Sequence, residues 1–450
     1  MSQNSKLKVE QVDVDRFSRI AKASLEGKVI LTPSFSPLVQ NSRELDIYLN
    51  RTLALTNNEH LGAFVMRIFD AYKVLLPWVE IKNQMGMDGK PIPSLYKDFF
   101  ERTIFLLDPA TEYLDYDFHF DEFLQIAGKV HFPQQVIAYL NKRERRKKNS
   151  SSTDYKKWKN GAHREFWYKL DRDRRRLNDL ITEYFDLEAK FEIKILIPPM
   201  PIVDNEGLLD IAIRVNDMSK ALAVDRGECA TYFLLNKCTL RNGKLLKKII
   251  EYLKRDPATL TIFKFKNLTL WETGTQIERE AFRDLMYEMA EIKKYRKEKL
   301  FMLLEGSLHC FPSASYGFDI VSSSMRLMDI DSSFGHSGYG SYFNEDDLWN
   351  TPYESLPEIM KNNGDHLPCP CETCRKITYD QEKRMLLYNK RKIEQEEWND
   401  YRRVHNLFVM NNLMKMIHRA VDEKHIELVR EKLINSELRN LKVLIPQFYQ

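Results

Sequence analysis

Short apolar runs alternate with amphipathic segments along most of the chain, and this alternation limits the fold more than any other feature. Strands are predicted over residues 29–37, 63–69, 191–197, 222–225, 231–235, 260–265, 300–304 and 318–321. Helices are predicted over 42–53, 94–106, 119–129, 134–148, 244–254 and 278–295. Strands that alternate with helices of ten or more residues indicate parallel strands with right-handed crossovers. Seven or eight such units over roughly 300 residues favour an α/β fold of the (β/α)8 TIM-barrel type over an open sheet.

The carboxyl ends of the predicted strands carry acidic residues, and in a (β/α)8 barrel the reacting groups lie at those ends. The acidic residues there are Asp70, Asp225, Glu305, Asp319, Asp329 and Asp331. Three aromatic residues near the first two strands could sandwich a planar ring, although such residues more often fill a core: Phe35, Phe69 and Tyr72. The sequence therefore predicts an acidic site with aromatic walls.

Three of the six cysteines lie within six residues, at Cys369, Cys371 and Cys374, and His405 follows after thirty intervening residues. Zn²⁺ takes four tetrahedral nitrogen and sulfur ligands, and a tight cysteine turn can supply three of them. Helices are predicted over 383–404 and 407–422, with His405 at the start of the second. We expect a structural zinc site that fastens this loop to a distant helix. The alternative is a set of unrelated cysteines in a reducing compartment.

A basic segment covers residues 142–176, where fifteen Lys and Arg stand against five Asp and Glu, a net charge of +10. The whole chain carries only +4, so the remainder is acidic. Trp158, Phe166, Trp167 and Tyr168 lie among these charges, and basic residues with interleaved rings suit a nucleic acid. The candidate contacts are Arg145, Arg146, Lys147, Lys148, Lys157, Lys159, Arg174 and Arg175. The alternative is a solvated helix face beside a disordered loop.

The chain divides into four predicted parts. They are a polar leader with a short helix at 1–28, the barrel at 29–360 with a basic helical insertion at about 134–188, a helical zinc-binding subdomain at 361–436, and a tail at 437–450. No run of eighteen apolar residues and no apolar signal core is present, so we expect a soluble protein. The scattered Cys229, Cys238 and Cys310 favour a reducing, cytoplasmic location.

The segment 369–375, CPCETCR, followed by Val404-His405-Asn406-Leu407 and an apolar helix, closely resembles the zinc subdomain of the tRNA-guanine transglycosylase superfamily. The segment 317–324, GFDIVSSS, is similar to that family's G-x-D-φ-F-D segment on a late strand. Glu305-Gly306 precedes it, where the family has a Gly-rich strand end, and 32–37, TPSFSP, resembles the first-strand T-P motif. These matches span about residues 29–420. The chain resembles a divergent member of the superfamily, of the archaeal-type or DNA-modifying branch.

The resemblance implies a zinc-bearing (β/α)8 barrel that exchanges guanine in tRNA or DNA for a 7-deazaguanine base. One Asp attacks the ribose C1′ to form a covalent intermediate, and another acts as general acid and base. The target base must leave its stack to enter the pocket. The family's zinc region often takes part in dimer contacts, so the resemblance also implies a homodimer or a heterodimer.

Two expected aspartates are missing from this sequence. The position that matches the family's nucleophile is Ser322, and no T-D-S-G-G-F-Q segment supplies the general acid and base. Asp70 is the nearest replacement for the second role. If Ser322 faces the pocket, the alternation of a strand turns Asp319 away, which favours Asp331 as the nucleophile, with Asp319 and Asp329 as the other candidates.

The resemblance also assigns a substrate pocket to residues near these positions: Phe69, Tyr72, Asp225, Gly306 and Ser322. The Asp225 carboxylate could accept hydrogen bonds from the N1–H and amino groups of guanine, or could belong to a turn with a surface ion pair.

Three functions are compatible with these features. The favoured one is a base-exchanging pentosyltransferase, which predicts at least two of the named aspartates in one pocket. The second is a catalytically degenerate subunit or nucleic-acid-binding protein that retains the structural zinc, with those carboxylates scattered or paired with Arg and Lys. The third is an unrelated zinc-clipped barrel enzyme acting on a small molecule.

Overall fold

The structure is a computed structural model. It describes residues 6–15, 18–48, 59–75, 103–114, 124, 132–266, 275–306, 310–325, 341–344, 349–352, 356–380, 385–388, 391–392 and 395–435. The strands in chain order are β1 (Lys8–Asp15), β2 (Ser18–Leu25), β3 (Lys28–Leu31), β4 (Ser34–Leu38), β5 (Ala63–Arg67), β6 (Ile104–Asp108), β7 (Ile195–Leu196), β8 (Ile202–Val203), β9 (Glu228–Cys229), β10 (Thr231–Asn236), β11 (Leu260–Lys266), β12 (Leu300–Leu304), β13 (Ile320–Ser324), β14 (Ser341–Asn344), β15 (Trp349–Pro352), β16 (Ile377–Asp380), β17 (Met385–Tyr388) and β18 (Arg391–Lys392).

The α-helices in chain order are α1 (Ser42–Asp46), α2 (Ile68–Val74), α3 (Gln134–Asn149), α4 (Ser152–Arg172), α5 (Arg174–Ala189), α6 (Glu206–Leu222), α7 (Gly243–Arg255), α8 (Gln276–Tyr295), α9 (Cys310–Tyr316), α10 (Leu356–Asn362), α11 (Glu372–Arg375), α12 (Gln395–Asp422) and α13 (Ile426–Asn435). None of these helices is both long enough and apolar enough to cross a lipid bilayer, a statement limited to the described residues.

Eight strands form one parallel sheet in the order β6-β5-β4-β13-β12-β11-β10-β8. On one side of the sheet the order runs from β4 through β5 to the edge strand β6. On the other side it runs from β13 through β12, β11 and β10 to the edge strand β8. Parallel strands need crossover connections, and helices such as α6, α7 and α8 supply them. The predicted α/β class with parallel strands is therefore confirmed.

The sheet is strongly curved. β6 and β11 stand five places apart in its order, which would separate them by about 24 Å if the sheet were flat. The Lys264 ammonium on β11 nevertheless lies 2.6 Å from a carboxylate oxygen of Asp108 on β6. No two side chains could span the flat distance, so the sheet bends around a shared interior as a half-barrel.

The two edge strands of this sheet, β6 and β8, define what we call the seam. Among the described residues no backbone ladder joins them. Instead the Thr111 hydroxyl, just after β6, donates to the Met200 carbonyl at 2.7 Å and accepts from the Met200 amide at 3.3 Å. A complete (β/α)8 ring would require backbone pairing between β6 and β8, and the described residues do not form that pairing.

The sheet is buried on both faces, as parallel strands covered by helices must be. Every residue of β12 and β13 is buried. The covering helices begin at polar caps that satisfy their first amides. The Asn242 side chain accepts from the Leu245 amide before α7, and Thr275 and Glu278 form a reciprocal capping box before α8. These caps fix where each crossover helix starts and so help to set its position against the strands.

The polar leader predicted for residues 1–28 is wrong over the described part. β1, β2 and β3 form an antiparallel sheet there. In β1 the half-buried side carries Gln11 and Asp13, whereas Val12 and Val14 are exposed. Val12 and Val14 alternate with Asp13 and Asp15 as in a strand, but these two apolar side chains lie on the exposed face, opposite to the pattern of a half-buried strand.

Three further element predictions are wrong in part. Residues 222–225, predicted as a strand, are the end of α6 and a turn. Residues 104–106, predicted as helical, belong to β6, and 385–392 contain β17 and β18 rather than a helix. Here the pairing of β16 with β17 and of β17 with β18 prevails over the helix propensity of a charged segment. The predicted helix over 119–129 and the tail at 437–450 lie outside the described residues, apart from Leu124.

Candidate active site and metal centre

Six charged side chains meet at the carboxyl end of the curved sheet. We name this set the mouth cluster: Arg67, Asp70, Asp108, Glu112, Lys264 and Glu305. Parallel strands bring their carboxyl ends to one edge, so residues distant in sequence meet there. β5, β6, β11 and β12 supply the cluster, either from their last residues or from the residues that follow them.

Lys264 lies at the centre of the cluster. Its ammonium is 2.6 Å from Asp108 and 3.0 Å from Glu305, and it also pairs with Glu112. Burial alone would lower the pKa of Lys264, but these carboxylates outweigh burial and hold its pKa well above the usual value. The three carboxyl groups lie close enough together to hold a metal ion. Because the lysine ammonium already bonds to each of them, the arrangement is an ion-pair network.

Glu305 is the ionised carboxylate of the cluster. Its backbone has a φ of +55°, a left-handed conformation that non-glycine residues seldom adopt and that tends to occur at functional sites. The Arg67 Nε and the Lys264 ammonium each lie 3.0 Å from Oε1. Burial would raise the pKa of Glu305, but Arg67 and Lys264 outweigh it and keep the pKa well below its usual range. Both cations contact Glu305 through Oε1.

Asp70 and Glu112 are the two carboxyl groups of the cluster whose pKa values burial raises to about 7. Asp70 lies in the first turn of α2 and is only 5% exposed, and its Oδ2 has no hydrogen-bond partner in the part of the chain that the structure describes. Burial raises the pKa of Asp70 to about 7, against the opposing effect of Arg67 and Lys73. A group that is half protonated near neutral pH can both give and take a proton. Asp70 and Glu305 thus lie at the same end of the sheet with pKa values shifted in opposite directions.

Two serines lie on the neighbouring strands. Ser322 of β13 is the register partner of Ser36 of β4, and both hydroxyl oxygens are buried without a hydrogen-bond partner among the described residues. Such a group costs about 1–3 kcal/mol when it is left unsatisfied. Gly306 donates its amide to the Ser322 carbonyl at 2.7 Å, and a Cβ on Gly306 would come within 2.6 Å of the Leu303 side chain. Gly306 therefore packs closely beneath Ser322.

The three aromatic residues predicted to sandwich a base are packed inside the protein. Phe35, Phe69 and Tyr72 are all buried. Tyr72 meets Phe191 edge-on, with ring centroids 5.1 Å apart, and the Arg67 guanidinium lies 5.9 Å from the centre of the Phe69 ring. In the described structure they are core residues beside the mouth cluster.

Asp319 and Asp225 do not join the mouth cluster. Asp319 precedes β13, so it lies at the opposite, amino end of the sheet. It pairs with Arg19 at 2.8 Å and with Lys293 at 3.2 Å, and it accepts the Phe301 amide at 2.9 Å. Asp225 is exposed in the turn between α6 and β9, also away from the carboxyl ends. Asp329 and Asp331, the other predicted nucleophiles, lie outside the described residues.

Sequence reasoning missed four members of the cluster, Arg67, Asp108, Glu112 and Lys264, although the last three each left a signal. Lys264 is a charged residue inside the apolar run of β11, and a lysine there requires buried partners. Asp108 closes the run Ile104–Asp108, most of which the sequence pattern places in a helix. Glu112 follows in the next turn. Their meeting could not be predicted because the strands concerned lie five places apart in the sheet.

The predicted metal ligands come together. The ligand atoms of Cys369, Cys371, Cys374 and His405 all lie within 4.8 Å of one another and the four residues are buried. The His405 Nδ1 is 3.3 Å from the Cys374 sulfur and 3.8 Å from the Cys371 sulfur. Tetrahedral bonds of about 2.3 Å to sulfur and about 2.0–2.1 Å to nitrogen require edges of roughly 3.5 Å between the two atom types. The three sulfurs and one nitrogen therefore fit a tetrahedral metal ion with no open position.

Local structure explains how the loop presents its thiols. Cys371 caps α11, with its sulfur accepting the Cys374 amide at 3.3 Å, and the Cys371 amide points to the Cys369 sulfur at 3.4 Å. His405 comes from the interior of α12, not from a helix start as predicted, because α12 runs unbroken from Gln395 to Asp422. The Asn406 amide group next to it donates to the Met325 carbonyl at 3.1 Å, just after β13. The metal centre is thus held against the curved sheet.

The basic segment forms three helices, α3 to α5. The predicted nucleic-acid contacts are exposed except for Lys159, which is half-buried: Arg145, Arg146, Lys147, Lys148, Lys157, Arg174 and Arg175. Arg143 differs, since it is fully buried and bonds to the Tyr155 hydroxyl at 3.1 Å. Trp167 is also buried and donates to His163 at 3.1 Å. Part of the aromatic and basic content therefore holds the helices together.

The sequence matches no known protein-family model, and a search of curated proteins returned no matching sequence.

Proposed function

We propose that this chain is a transglycosylase-like enzyme, a pentosyltransferase that exchanges guanine for a 7-deazaguanine base in tRNA or DNA. The observation that carries the proposal is the pair formed by Glu305, held ionised, and Asp70, whose pKa is raised to about 7. Exchange at a sugar C1′ through a covalent intermediate needs one carboxylate that attacks and one carboxyl that supplies a proton. These two groups meet that need at the end of the sheet where barrel enzymes react.

In the proposed reaction, Glu305 attacks C1′ while the bond from C1′ to the guanine nitrogen breaks, and Asp70 gives its proton to the departing base. The incoming base then returns a proton to the Asp70 carboxylate as its ring nitrogen attacks C1′ and displaces Glu305. Protons balance over the cycle. Arg67 and Lys264 orient Glu305 through Oε1. Asp331, favoured by the sequence, is the other candidate nucleophile.

The proposal includes a complete (β/α)8 barrel and a structural Zn²⁺. β6 and β8 lie at opposite edges of the sheet but follow one another along the chain among its eight strands. This order supports a complete barrel. The thiol-rich donor set, with all four positions filled by protein, supports the second. Cys369, Cys371, Cys374 and His405 would hold the ion, which would supply folding free energy.

A specific observation favours a second candidate, a catalytically degenerate subunit or nucleic-acid-binding protein that retains the zinc. Asp108, Glu112 and Glu305 are all paired with Lys264, and Ser322 occupies the family's nucleophile position. Such a subunit would act with a catalytic partner in a heterodimer.

A base-exchange assay distinguishes the two candidates. Labelled guanine and a labelled 7-deazaguanine are offered with tRNA and with duplex DNA in parallel. We expect incorporation into one nucleic acid, its loss in Asp70→Asn, and a covalent adduct that peptide mapping places on Glu305. Asp225→Asn is the matched control and should retain exchange. An adduct on Asp331 would reassign the nucleophile, and intact binding without incorporation into either nucleic acid would reject the enzyme in favour of the degenerate subunit.

A further inference from the structure

A cleft opens among α3, α4 and α5 in the basic insertion, and it shares no lining residue with the mouth cluster. It encloses about 230 Å³. Its walls include the rings of Tyr139, Trp158 and Phe166, and its rim carries Lys142, Lys169 and Arg176. Sites for drug-sized ligands are about 300–1,000 Å³, so this cleft suits one planar ring system.

The aromatic walls are arranged as stacking surfaces. The rings of Tyr139 and Trp158 are inclined by only 25°, with centroids 6.5 Å apart, and Phe166 lies 5.1 Å from Tyr139. Trp158 and Phe166 are half-buried, so a base could stack on the accessible part of either ring, whereas Tyr139 and Trp167 are buried.

The rim supplies positive charge that can be redirected to a ligand. Glu165 contacts Lys169 at 2.5 Å and Lys142 at 4.0 Å, while Arg176 pairs with Asp173 at 3.2 Å. All of these are pairs between exposed side chains, and such pairs contribute about 0–1 kcal/mol, so phosphates can replace their acids at little cost. Lys142 also lies 5.8 Å from the centre of the Trp158 ring.

One polar atom in the cleft lacks a partner. The side-chain oxygen of Gln135 is buried, and no described group donates to it, while its Nε2 donates weakly to the Arg176 carbonyl at 3.5 Å. A nucleobase carries amino and imino donors that could satisfy this oxygen. An acidic peptide would satisfy the cations but offers no flat ring for Tyr139 and Trp158.

We propose that this cleft binds one unpaired base of the nucleic-acid substrate, with the flanking phosphates on Lys142, Lys169 and Arg176. This inference rests on the proposed function for the identity of the ligand. It adds a second contact point outside the reaction site, at which the enzyme would hold another single-stranded or flipped nucleotide of the same nucleic acid. Stacking of this kind tolerates any base, because every base has a π face.

The test uses the full chain and a fluorescein-labelled single-stranded oligodeoxynucleotide carrying one 5-iodouracil. We expect ultraviolet light to cross-link the iodinated base to Trp158, Tyr139 or Phe166. We expect Trp158→Leu to weaken binding by about 5- to 150-fold, the range for loss of one stacked base. Lys169→Ala should reduce the slope of log affinity against log salt by about 0.7. Tyr295→Leu, on the exposed end of α8, is the control and should change neither.

Cross-linking and affinity do not depend on base exchange, so the two proposals fail separately. A cross-link in the cleft without exchange would support this inference and count against the enzyme. Exchange with a cross-link only elsewhere, and with unchanged affinity in Trp158→Leu, would overturn this inference alone. Displacement of the oligonucleotide by poly-glutamate at a lower concentration than by unlabelled oligonucleotide would also overturn it, in favour of an acidic peptide.

Discussion

Burial gives Asp70 a pKa near 7 and thereby couples the stability of the protein to pH. In the unfolded chain an aspartate titrates near pH 4. Between pH 4 and pH 7 the folded protein therefore binds more protons than the unfolded chain, and the free energy of unfolding falls as pH rises.

We predict that Asp70→Asn removes this dependence. From pH 4 to pH 8 the wild-type protein should lose up to about 4 kcal/mol of stability relative to the variant, since each pKa unit corresponds to about 1.4 kcal/mol. Urea unfolding at several pH values measures the difference. Asp225→Asn, which changes an exposed carboxyl, should track the wild type, and parallel curves for wild type and Asp70→Asn would contradict the assignment.

Lys264 pairs with the buried carboxyl groups of Asp108 and Glu112 and with the half-buried Glu305, so its removal should be costly. We predict that Lys264→Met destabilises the fold by about 3–5 kcal/mol, because carboxylates are left buried without a cation. Adding Glu112→Gln to that variant should recover part of the loss. Denaturant unfolding measures both, and a loss in Lys264→Met below about 1 kcal/mol would show that water reaches the cluster freely.

Asp319 should behave as a structural residue. Asp319→Asn leaves the Arg19 guanidinium and the Lys293 ammonium without their carboxylate, so we predict a loss of about 3–5 kcal/mol in unfolding free energy. The folded fraction should exchange bases at the wild-type rate, whereas Glu305→Gln should abolish exchange. Loss of exchange in a folded Asp319→Asn protein would make this residue a candidate nucleophile again.

A site residue could be predicted from the sequence where its partners lie close to it along the chain. The four metal ligands follow from spacing alone, because three of them share one turn. Asp70 could be placed at a strand end, but its raised pKa depends on burial, which the sequence does not report. The partners of Lys264 come from β6 and β12, and only the curvature of the sheet brings them together.

At the scale of elements, the candidate metal ligands join the loop at α11 to the middle of α12. We predict one zinc per chain after gentle purification, and loss of that zinc in Cys371→Ser. The variant should show a lower melting temperature, because the ion's binding free energy contributes to folding. Cys238→Ser, which alters an exposed cysteine, is the control. A full zinc content in Cys371→Ser would exclude this ligand set.

Among the helices and strands, sequence patterns alone predict those elements whose strands are buried on both faces. β10 to β12 and their helices fall almost where predicted, because parallel strands buried on both faces appear as short continuous apolar runs. The strands β1, β17 and β18 escape prediction. Each pairs in an antiparallel sheet, and their segments are rich in charged residues. For such strands the neighbouring strand decides the conformation, and a local pattern cannot reveal it.

At the scale of the whole molecule, positive charge is concentrated on α3 to α5 while the rest of the chain is acidic. Arg145 and Arg146 are exposed and make no ion pair with a described residue. We predict that Arg145→Glu combined with Arg146→Glu weakens nucleic-acid binding. The salt slope should fall by about 0.9 for each duplex phosphate that the protein no longer neutralises.

A matched variant controls for net charge. Lys244→Glu combined with Lys247→Glu makes the same change of charge on the exposed side of α7. Fluorescence anisotropy over a range of salt concentrations compares the two proteins. Equal losses of affinity would show that only the overall charge matters and that α3 does not contact the nucleic acid.

The seam between β6 and β8 has a consequence for the order in which the molecule opens. Seven strand-to-strand ladders hold the sheet elsewhere, whereas the Thr111 hydroxyl bridges this boundary with two hydrogen bonds. Two such bonds contribute about 1–3 kcal/mol in total, much less than a ladder embedded in a core. The sheet should therefore part first at this boundary, and its edge amides should take up deuterium before those of β11 and β12. Since α3 to α5 lie between β6 and β8 along the chain, opening this boundary would let the three basic helices move without breaking a ladder of the eight-stranded sheet.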